Sequence, residues 1–183
     1  MADDPKKASP APALAALAAL VGLGTAAALV TDTKQDEGVV YRAYPDLGGV
    51  WSICSGTTTG VKPGEVDTAE QCDARTAADL LNAATIVLRC APDLKGRVNQ
   101  LRAAIRFQNN TGKFCSSTGA KLMRVGLFKQ GCDALLAYNG IVSAKPIRGA
   151  VSVRRLKDGR YFSVIRGLKN RRDHEHQICV AGL

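Results

Sequence analysis

Three side chains in the first third of the chain have types and spacing that suit acid–base chemistry. The stretch DEGVVYRAYPDLGGVWSIC, residues 36–54, places Glu37 nine positions before Asp46 and Asp46 six positions before Ser52. Two carboxylates in one site can divide the roles of proton donor and ionised partner, and a hydroxyl can hold a water molecule beside them. The alternative is a loop and a hairpin with solvated acids, which is the commoner situation for an isolated Glu or Asp.

Short elements must position these three residues. The run from 36 to 62 reads as a helix start followed by short strands and turns, punctuated by Gly48, Gly49, Gly56 and Gly60. After it, Asp67 or Thr68 can cap a helix that continues to about Cys90, and Pro92 ends that helix.

The remainder of the chain is predicted to be mainly helical. Apolar residues recur at helical spacing over 95–109, and shorter helices are predicted over 117–125, 130–138 and 170–180. Residues 151–165, VSVRRLKDGRYFSVI, alternate around Asp158-Gly159, which predicts a β-hairpin. The fold class is therefore α+β and mainly helical, with one domain of about 150 residues plus an N-terminal appendage.

The chain is basic, with a formal net charge of +9 over 183 residues. Residues 141–183 hold ten Lys or Arg against three Asp or Glu, a net charge of +7. Such a surface attracts a polyanion, either nucleic acid or an anionic cell envelope. No Walker loop, zinc-finger spacing or RNA-binding aromatic motif occurs, so nucleic acid is not predicted as a partner. The hairpin cations are interpreted as a solvated face, with envelope attraction as a second role: Arg154, Arg155, Lys157 and Arg160.

Six cysteines are scattered through the chain: Cys54, Cys72, Cys90, Cys115, Cys132 and Cys179. None forms a C-x-x-C pair, which disfavours a zinc site. An even number of scattered cysteines fits three disulfides in an oxidising compartment. The alternative is six buried thiols in a reducing compartment, and the residues alone leave the pairing open.

The N-terminal segment APALAALAALVGLGTAAALV, residues 11–30, carries no charge and is just long enough to span a hydrocarbon core. It is mostly alanine, so it is weakly hydrophobic for an anchor. Three interpretations stay open: a cleaved signal peptide, with Ala26–Ala28 as a small-residue cleavage site; a permanent anchor; and a marginal transmembrane helix that can leave the membrane. A core helix of a soluble body is a poorer alternative, because Ala and Leu line every face and leave no amphipathic stripe. The three favoured interpretations all export the chain, in agreement with the cysteines.

The motifs of this chain resemble those of the phage-type lysozymes, the endolysins that degrade peptidoglycan. That family carries E-G, then A-Y-x-D, then a run like G-x-W-T-I-C-Y-G-H-T. The corresponding segments here are EG at 37–38, AYPD at 43–46 and GVWSICSGTT at 49–58, followed by FCSST at 114–118, GCD at 131–133, GLKNRR at 167–172 and Ile178-Cys179. The resemblance covers about residues 36–183 and implies a phage-lysozyme-like fold, with a small β portion before a helical lobe.

Three positions depart from the family pattern. Ser52 stands where the family usually has Thr, so the hydroxyl is kept and the methyl group is lost. Ser55 replaces Tyr and Thr57 replaces His, which bears on cleft shape and activity more than on fold. Compared with the family pattern, the stretch 151–165 looks like an inserted hairpin.

The resemblance implies a muramidase that hydrolyses the bond between N-acetylmuramic acid and N-acetylglucosamine in peptidoglycan and lyses the host cell. In that arrangement Glu37 is the acid, Asp46 is the ionised partner, and Ser52 holds a water molecule with Asp46, with inversion at the anomeric carbon. The acid role is favoured if packing buries Glu37 and so raises its pKa. No cofactor and no metal are implied, and the chain is expected to be monomeric.

Two other functions are weighed against this one. The first is a peptidoglycan-binding envelope protein on a decayed lysozyme fold, which Ser55 and Thr57 favour and the retained triad opposes. The second is a lytic transglycosylase, which needs no water-holding hydroxyl and is disfavoured by Asp46 and Ser52.

Within the family, the N-terminus resembles a signal-anchor-release segment. This implies that residues 1–31 export the chain to the host periplasm and tether it to the inner membrane through residues 11–30, and that residues 32–183 form the catalytic domain. No cysteine precedes Cys54, so release is expected to refold the segment onto the body without thiol exchange. The fold also implies the disulfide pairs Cys54–Cys72, Cys90–Cys115 and Cys132–Cys179.

The two histidines, His174 and His176, lie in a charged predicted helix. Residues two apart point to different faces of a helix, so a shared metal is disfavoured and solvated side chains are expected.

Overall fold

The computed structural model describes residues 10–46 and 49–183, and the chain divides after Ile86 into two compact units. The elements in chain order are α1 Pro10–Val21, α2 Leu23–Glu37, β1 Val40–Pro45, β2 Trp51–Cys54, α3 Ala69–Cys90, α4 Val98–Thr111, α5 Thr118–Arg124, α6 Phe128–Leu135, β3 Gly140–Ser143, β4 Ser152–Arg155, β5 Tyr161–Val164 and α7 Arg166–Val180. Short 3-10 helices lie at Pro92–Gly96 and Phe114–Ser116. The fold class is α+β and mainly helical, as predicted.

The apolar N-terminal segment forms two helices, whereas its uncharged sequence over 11–30 predicts one continuous span. Gly22 has φ of 88°, a conformation that residues with a Cβ rarely adopt, and it separates α1 from α2. The two helices pack against each other. Leu17, Ala26 and Leu29 are fully buried, so part of this segment has the packing of a protein interior.

No single helix among the described residues is long and apolar enough to cross a membrane. The bent pair Pro12–Val21 and Leu23–Glu37, at 119° to each other, meets the length and composition requirement jointly.

A small antiparallel hairpin follows α2 in the first unit. Tyr44 lies opposite Ser52 and Pro45 opposite Trp51, and the register shifts between Val40 and Tyr44. The hairpin packs through a compact apolar cluster that also includes the start of α3: Ala43, Ile53, Cys54 and Cys72, with Val39, Trp51 and Val61 around them.

The second unit is built on α4, whose buried face includes Leu101, Ile105 and Phe107. The Phe107 ring makes edge contacts with Phe114 and with Tyr138, at centroid distances of 6.4 and 4.9 Å. This aromatic cluster fixes the connection after α4.

Glycines allow α5 and α6 to approach closely. A Cβ added at Gly119 would lie 2.9 Å from the carbonyl oxygen of Gly131, which real Cβ atoms essentially never do. The FCSST segment supplies the start of α5, because the Ser117 hydroxyl accepts a hydrogen bond from the Ala120 N–H at 3.0 Å and caps the helix.

The buried face of α7 carries an ion pair. Arg172 and Glu175 are 1% and 2% exposed, and an Arg172 guanidinium N–H donates to Glu175 Oε1 at 2.6 Å. The same nitrogen donates to Asn110 Oδ1 at 3.0 Å, and the guanidinium lies 4.8 Å from the Phe107 ring centroid. Burial raises the pKa of Glu175 to about 7 against the opposing charge of Arg172, and it lowers the pKa of Arg172. Burial therefore outweighs the attraction in both partners.

The predicted hairpin at 151–165 is present as β4 and β5, and β5 is the centre of a three-stranded antiparallel sheet in the order β3-β5-β4. Ile141 and Val153 lie opposite Ser163 on its two sides. The sequence analysis missed β3, because this four-residue strand pairs with a segment twenty residues further along the chain and has no local turn signal.

Three disulfides close the fold: Cys54–Cys72, Cys90–Cys115 and Cys132–Cys179. They are the three pairs that the family resemblance implies. Each bond lies within one of the two compact units, so each unit has its own covalent restraint.

Candidate active site

Glu37 is the last residue of α2, and it is exposed. Gly38 ends the helix, with φ of 71°, and its N–H donates to the Lys34 carbonyl oxygen at 3.0 Å. Lys34 Nζ in turn contacts Asp73 Oδ1 at 2.7 Å, which ties this helix end to α3. Because Glu37 is exposed, the structure does not provide the burial that would favour its role as an acid.

Asp46 is the first residue after β1, and its side chain organises the loop that follows. Its Oδ1 accepts the Val50 N–H at 2.8 Å, while its own N–H donates to the Val50 carbonyl oxygen at 2.8 Å. The Gly49 N–H donates to the Asp46 carbonyl oxygen at 2.9 Å. The Asp46 side chain therefore stabilises the turn between β1 and β2 as a hydrogen-bond acceptor. Asp46 itself remains exposed.

Ser52 lies on β2, two residues after Val50, and is 3% exposed. The pairing of Pro45 with Trp51 and of Tyr44 with Ser52 places Asp46 and Ser52 at the same end of this hairpin. The structure thus brings Asp46 and Ser52 into one local element, and it places Glu37 three residues before the same hairpin begins.

A hydrogen bond between Thr57 and Asp79 was not anticipated from the sequence. The Thr57 hydroxyl donates to Asp79 Oδ2 at 2.6 Å, and Thr57 is buried. Burial raises the pKa of Asp79, and the Thr57 hydrogen bond and the charge of Arg75 oppose this rise. Because Thr57 and Ile53 also exchange two backbone hydrogen bonds, this contact anchors the turn after β2 to α3.

A second network of hydrogen-bonded ion pairs lies on the segment that pairs with β1 on the edge away from β2. Arg75 donates from Nε to Asp67 Oδ2 at 2.5 Å and from Nη2 to Glu65 Oε1 at 2.6 Å. The segment that carries these acids pairs with β1, since the Ala43 N–H donates to the Glu65 carbonyl oxygen and the Asp67 N–H to the Tyr41 carbonyl oxygen. The i, i+4 spacing of Arg75 and Asp79 was the sequence signal that both networks start from one face of α3.

The sulfur atoms of Cys54 and Cys72 and a carboxylate oxygen of Asp67 lie within 4.8 Å of one another. The two sulfurs are bonded to each other, so they offer no thiolate to a metal ion. The cluster is therefore a packing feature of the hairpin.

The sequence predicts solvated side chains for the two histidines, and this prediction is wrong: both rings contact other side chains. His174 Nδ1 lies 3.2 Å from Arg106 Nη2, and His176 Nε2 lies 2.7 Å from Asp133 Oδ1. Both rings are half-buried because α7 packs on α4 and α6, a tertiary arrangement that the charged sequence does not reveal.

The fold and these residues together define a small β-hairpin with an acid at its mouth, preceded by a helix that ends in a second acid. Residues 34–175 match the family model for phage lysozyme. The chain belongs to the phage lysozyme family, and the resemblance seen in its motifs is confirmed.

Curated relatives agree with this assignment. The chain is 37% identical over 145 residues to the SAR-endolysin of Pseudomonas phage phiKMV, covering 79% of this chain and 81% of that protein. It is 28% identical over 178 residues to the SAR-endolysin of Enterobacteria phage P21, covering 91% of this chain and 94% of that protein.

Solved structures share the fold. The muramidase domain of SpmX from Asticaccaulis excentricus aligns with a TM-score of 0.66 and 23% identity, over 84% of this chain and 95% of that one. The endolysin from Escherichia coli O157:H7 phage FAHEc1 aligns with a TM-score of 0.66 and 24% identity, over 85% and 92%. These neighbours confirm the phage-lysozyme-like fold.

Proposed function

We propose that this chain is an endolysin that hydrolyses the bond between N-acetylmuramic acid and N-acetylglucosamine in peptidoglycan and so lyses the host cell. Family membership and the 37% identity to a phage endolysin support this activity. The substrate, peptidoglycan, is the partner that such chemistry requires.

Glu37 is proposed as the general acid. It would give its proton to the glycosidic oxygen as the bond from that oxygen to the anomeric carbon breaks, with an oxocarbenium-like transition state. A carboxyl group performs this step at neutral pH only when its surroundings keep it protonated, and substrate that covers the exposed Glu37 side chain would supply such surroundings.

Asp46 and Ser52 are proposed to handle the water molecule. The water oxygen would bond to the anomeric carbon on the opposite face, and its proton would pass to the Asp46 carboxylate, with inversion of configuration. Ser52 would hold the same water through its hydroxyl. The products would be two shorter glycans, one of which ends in a reducing sugar.

The observation that carries the proposal is the Asp46 loop. The 2.8 Å hydrogen bond to Asp46 Oδ1 comes from the N–H of Val50, two residues before Ser52, and it restrains the orientation of the Asp46 carboxylate. A carboxylate held in one orientation can align a water molecule for attack on a bound glycan.

The test of the reaction is identification of the products that the wild-type protein releases from purified peptidoglycan. Hydrolysis gives reducing ends, whereas a lytic transglycosylase gives anhydro ends, which differ in mass by one water molecule. Replacement of Ser52 by alanine should slow release of reducing ends by at least about tenfold, and Ser52→Thr should retain it.

A peptidoglycan-binding protein without catalysis is the second candidate. The replacements at Ser55 and Thr57 favour it, and the Ser55 hydroxyl is buried with no hydrogen-bond partner among the described residues. Binding of peptidoglycan without release of any glycan fragment would select this function.

We further propose that residues 1–31 form a signal-anchor-release segment and residues 32–183 the catalytic domain. In this account the chain is exported to the host periplasm, tethered to the inner membrane through residues 11–30, and later released. Relatives described as SAR-endolysins support the proposal. Because Glu37 follows Val30 by only seven residues, about 10 Å along a helix, the tethered state would hold the acid close to the membrane.

Cell fractionation tests the membrane proposal. Wild-type protein should be recovered with the inner membrane at first and in the periplasm after release, at unchanged mass if the segment is not cleaved. Leu14→Lys with Ala19→Lys should abolish the membrane-bound fraction, since charged residues in a marginal span prevent insertion, and both positions are exposed in the folded protein.

A further inference from the structure

The three-stranded sheet and its connecting loops, residues 140–164, form a distinct surface that we call the basic sheet. It holds six basic residues and one acidic residue, a net charge of +5. The acid, Asp158, is paired with Arg160, whose Nη2 lies 2.7 Å from Asp158 Oδ2. Five cations remain for which no ion pair is found in the described part of the chain: Lys145, Arg148, Arg154, Arg155 and Lys157.

Apolar side chains lie among these cations. Ile141, Val142, Val151 and Val153 are each between 44% and 51% exposed. Val142, Phe162 and Arg154 form one cross-strand row, with the Arg154 guanidinium 5.7 Å from the Phe162 ring centroid. Ile141 and Val153 flank Ser163 on the other face. Ile141 and Val153 share one face with Arg155, because side chains two residues apart in a strand point the same way, so this face presents exposed aliphatic groups beside a cation.

We infer that the basic sheet binds the surface of an anionic phospholipid bilayer. Five unpaired cations complement the phosphates of acidic headgroups, and the exposed Ile and Val side chains can enter the interfacial region, as in amphipathic membrane-surface elements. A nucleic-acid surface would match the charge but would leave the aliphatic groups without a partner. This binding does not depend on the proposed glycan hydrolysis, because none of the residues involved belongs to the Glu37, Asp46 and Ser52 group.

Vesicle flotation of the full-length protein tests the inference. The probes are vesicles of phosphatidylcholine alone and of phosphatidylcholine mixed with phosphatidylglycerol. Residues 11–30 can bind both kinds of vesicle, so the measured quantity is the extra binding that phosphatidylglycerol brings. This extra binding should fall steeply as salt is added.

Two variants of the basic sheet separate charge from apolar contact. Arg155→Gln with Lys157→Gln should lower the phosphatidylglycerol-dependent partition coefficient by about 30-fold, from about a factor of five for each cation. Val151→Ser with Val153→Ser keeps every charge and should lower it by about tenfold. The matched control is Lys113→Gln with Lys121→Gln, which removes two exposed cations outside the basic sheet and should change the coefficient by less than about threefold.

Three results would overturn the inference. The first is an equal loss of vesicle binding in the control and in the Arg155 and Lys157 variant. The second is binding of a duplex oligonucleotide that is lost in the charge variant, with no phosphatidylglycerol dependence in the wild type. The third is a change in self-association of the variants, measured by sedimentation velocity, with vesicle binding unchanged. Circular dichroism melting curves that match the wild type establish that both basic-sheet variants fold.

Discussion

The Val50 N–H and the Asp46 carboxylate are joined by a 2.8 Å hydrogen bond that closes the mouth of the β-hairpin. Asp46 therefore has two separable properties, an acceptor that shapes the loop and a negative charge that could align water. Replacement of Asp46 by asparagine keeps an oxygen acceptor for the Val50 N–H and removes the charge.

We expect Asp46→Asn to retain the wild-type thermal stability and to lower peptidoglycan turnover by about 100-fold or more. Asp46→Ala should lose both turnover and roughly 1 kcal/mol of stability, because the Val50 N–H loses its partner. Turnover by soluble-glycan release and melting by circular dichroism provide the two readouts. An Asp46→Asn protein with wild-type turnover would show that position 46 is only structural.

The Thr57–Asp79 hydrogen bond predicts a pH-dependent loss of stability. Thr57→Val removes the donor that favours the ionised form of Asp79, so the pKa of Asp79, already raised by burial, should rise further. The stability lost should be about 2 kcal/mol when Asp79 is ionised in the wild type and should shrink at acidic pH, where the carboxyl is protonated in both proteins.

Thr57→Ser is the matched control, because it keeps the hydroxyl donor. Urea unfolding at several pH values measures both variants. A loss that is constant across pH, or equal in the serine and valine variants, would contradict the assigned role of this hydroxyl.

The raised pKa of the buried Glu175 predicts that this group stabilises the folded protein more at acidic pH than at neutral pH, the reverse of the usual effect of a carboxyl group. Its pKa of about 7 in the folded protein lies above the ordinary value of 4.5, so between these pH values the folded state holds a proton that the unfolded state has lost. The contribution of Glu175 to stability therefore falls as pH rises from about 4.5 to 7. The groups that act on it are Arg172 and Arg171 from α7 and Arg106 from α4.

Glu175→Gln should remove this fall, because glutamine resembles the protonated acid at every pH. We expect the free energy of unfolding of the variant to match that of the wild type near pH 5 and to exceed it increasingly towards pH 8. The difference in urea midpoints measures this change. A variant that becomes progressively less stable than the wild type as pH rises would mean that the Arg172 ion pair outweighs the burial.

The Cys54–Cys72 disulfide links the end of β2 to α3. Replacing both cysteines by alanine should lower the free energy of unfolding by about 3 kcal/mol, since the bond closes a short loop in the unfolded chain. Turnover should fall as well, measured on purified peptidoglycan at a temperature where the variant remains folded, because β2 carries Ser52. Unchanged turnover with reduced stability would show that the bond restrains the fold alone.

The sequence predicted the elements whose signals are local. The helix α3 was predicted because Asp67 and Thr68 offer a cap and Pro92 a stop, and the β4–β5 hairpin because Asp158-Gly159 supplies its turn. The candidate residues Asp46 and Ser52 fall on one hairpin, which lies within the short strands and turns predicted over 36–62. The prediction that a helix starts near residue 36 was wrong, because α2 ends at Glu37, where Gly38 with φ of 71° stops it. The exposure of Glu37 depends on tertiary packing and was not predicted.

Features that depend on tertiary packing could not be predicted. Nothing in RGLKNRRDHEHQ distinguishes the buried Arg172 and Glu175 from their exposed neighbours, because charged residues favour the surface on average. The pairing of Thr57 with Asp79 likewise arises from a contact between separate segments, not from propensity. The bend at Gly22 does have a local cause, the φ of 88° that glycine permits, and the apolar composition of the segment masked it.

The most direct test of the account is the turnover of purified peptidoglycan by Glu37→Gln, compared with Asp36→Asn. Both variants remove one carboxylate from the last turn of α2, so they share any effect on helix or net charge. We predict that Glu37→Gln loses at least about 100-fold in the release of reducing ends and that Asp36→Asn stays within a few-fold of wild type. Equal turnover by the two variants would contradict the assignment of Glu37 as the acid.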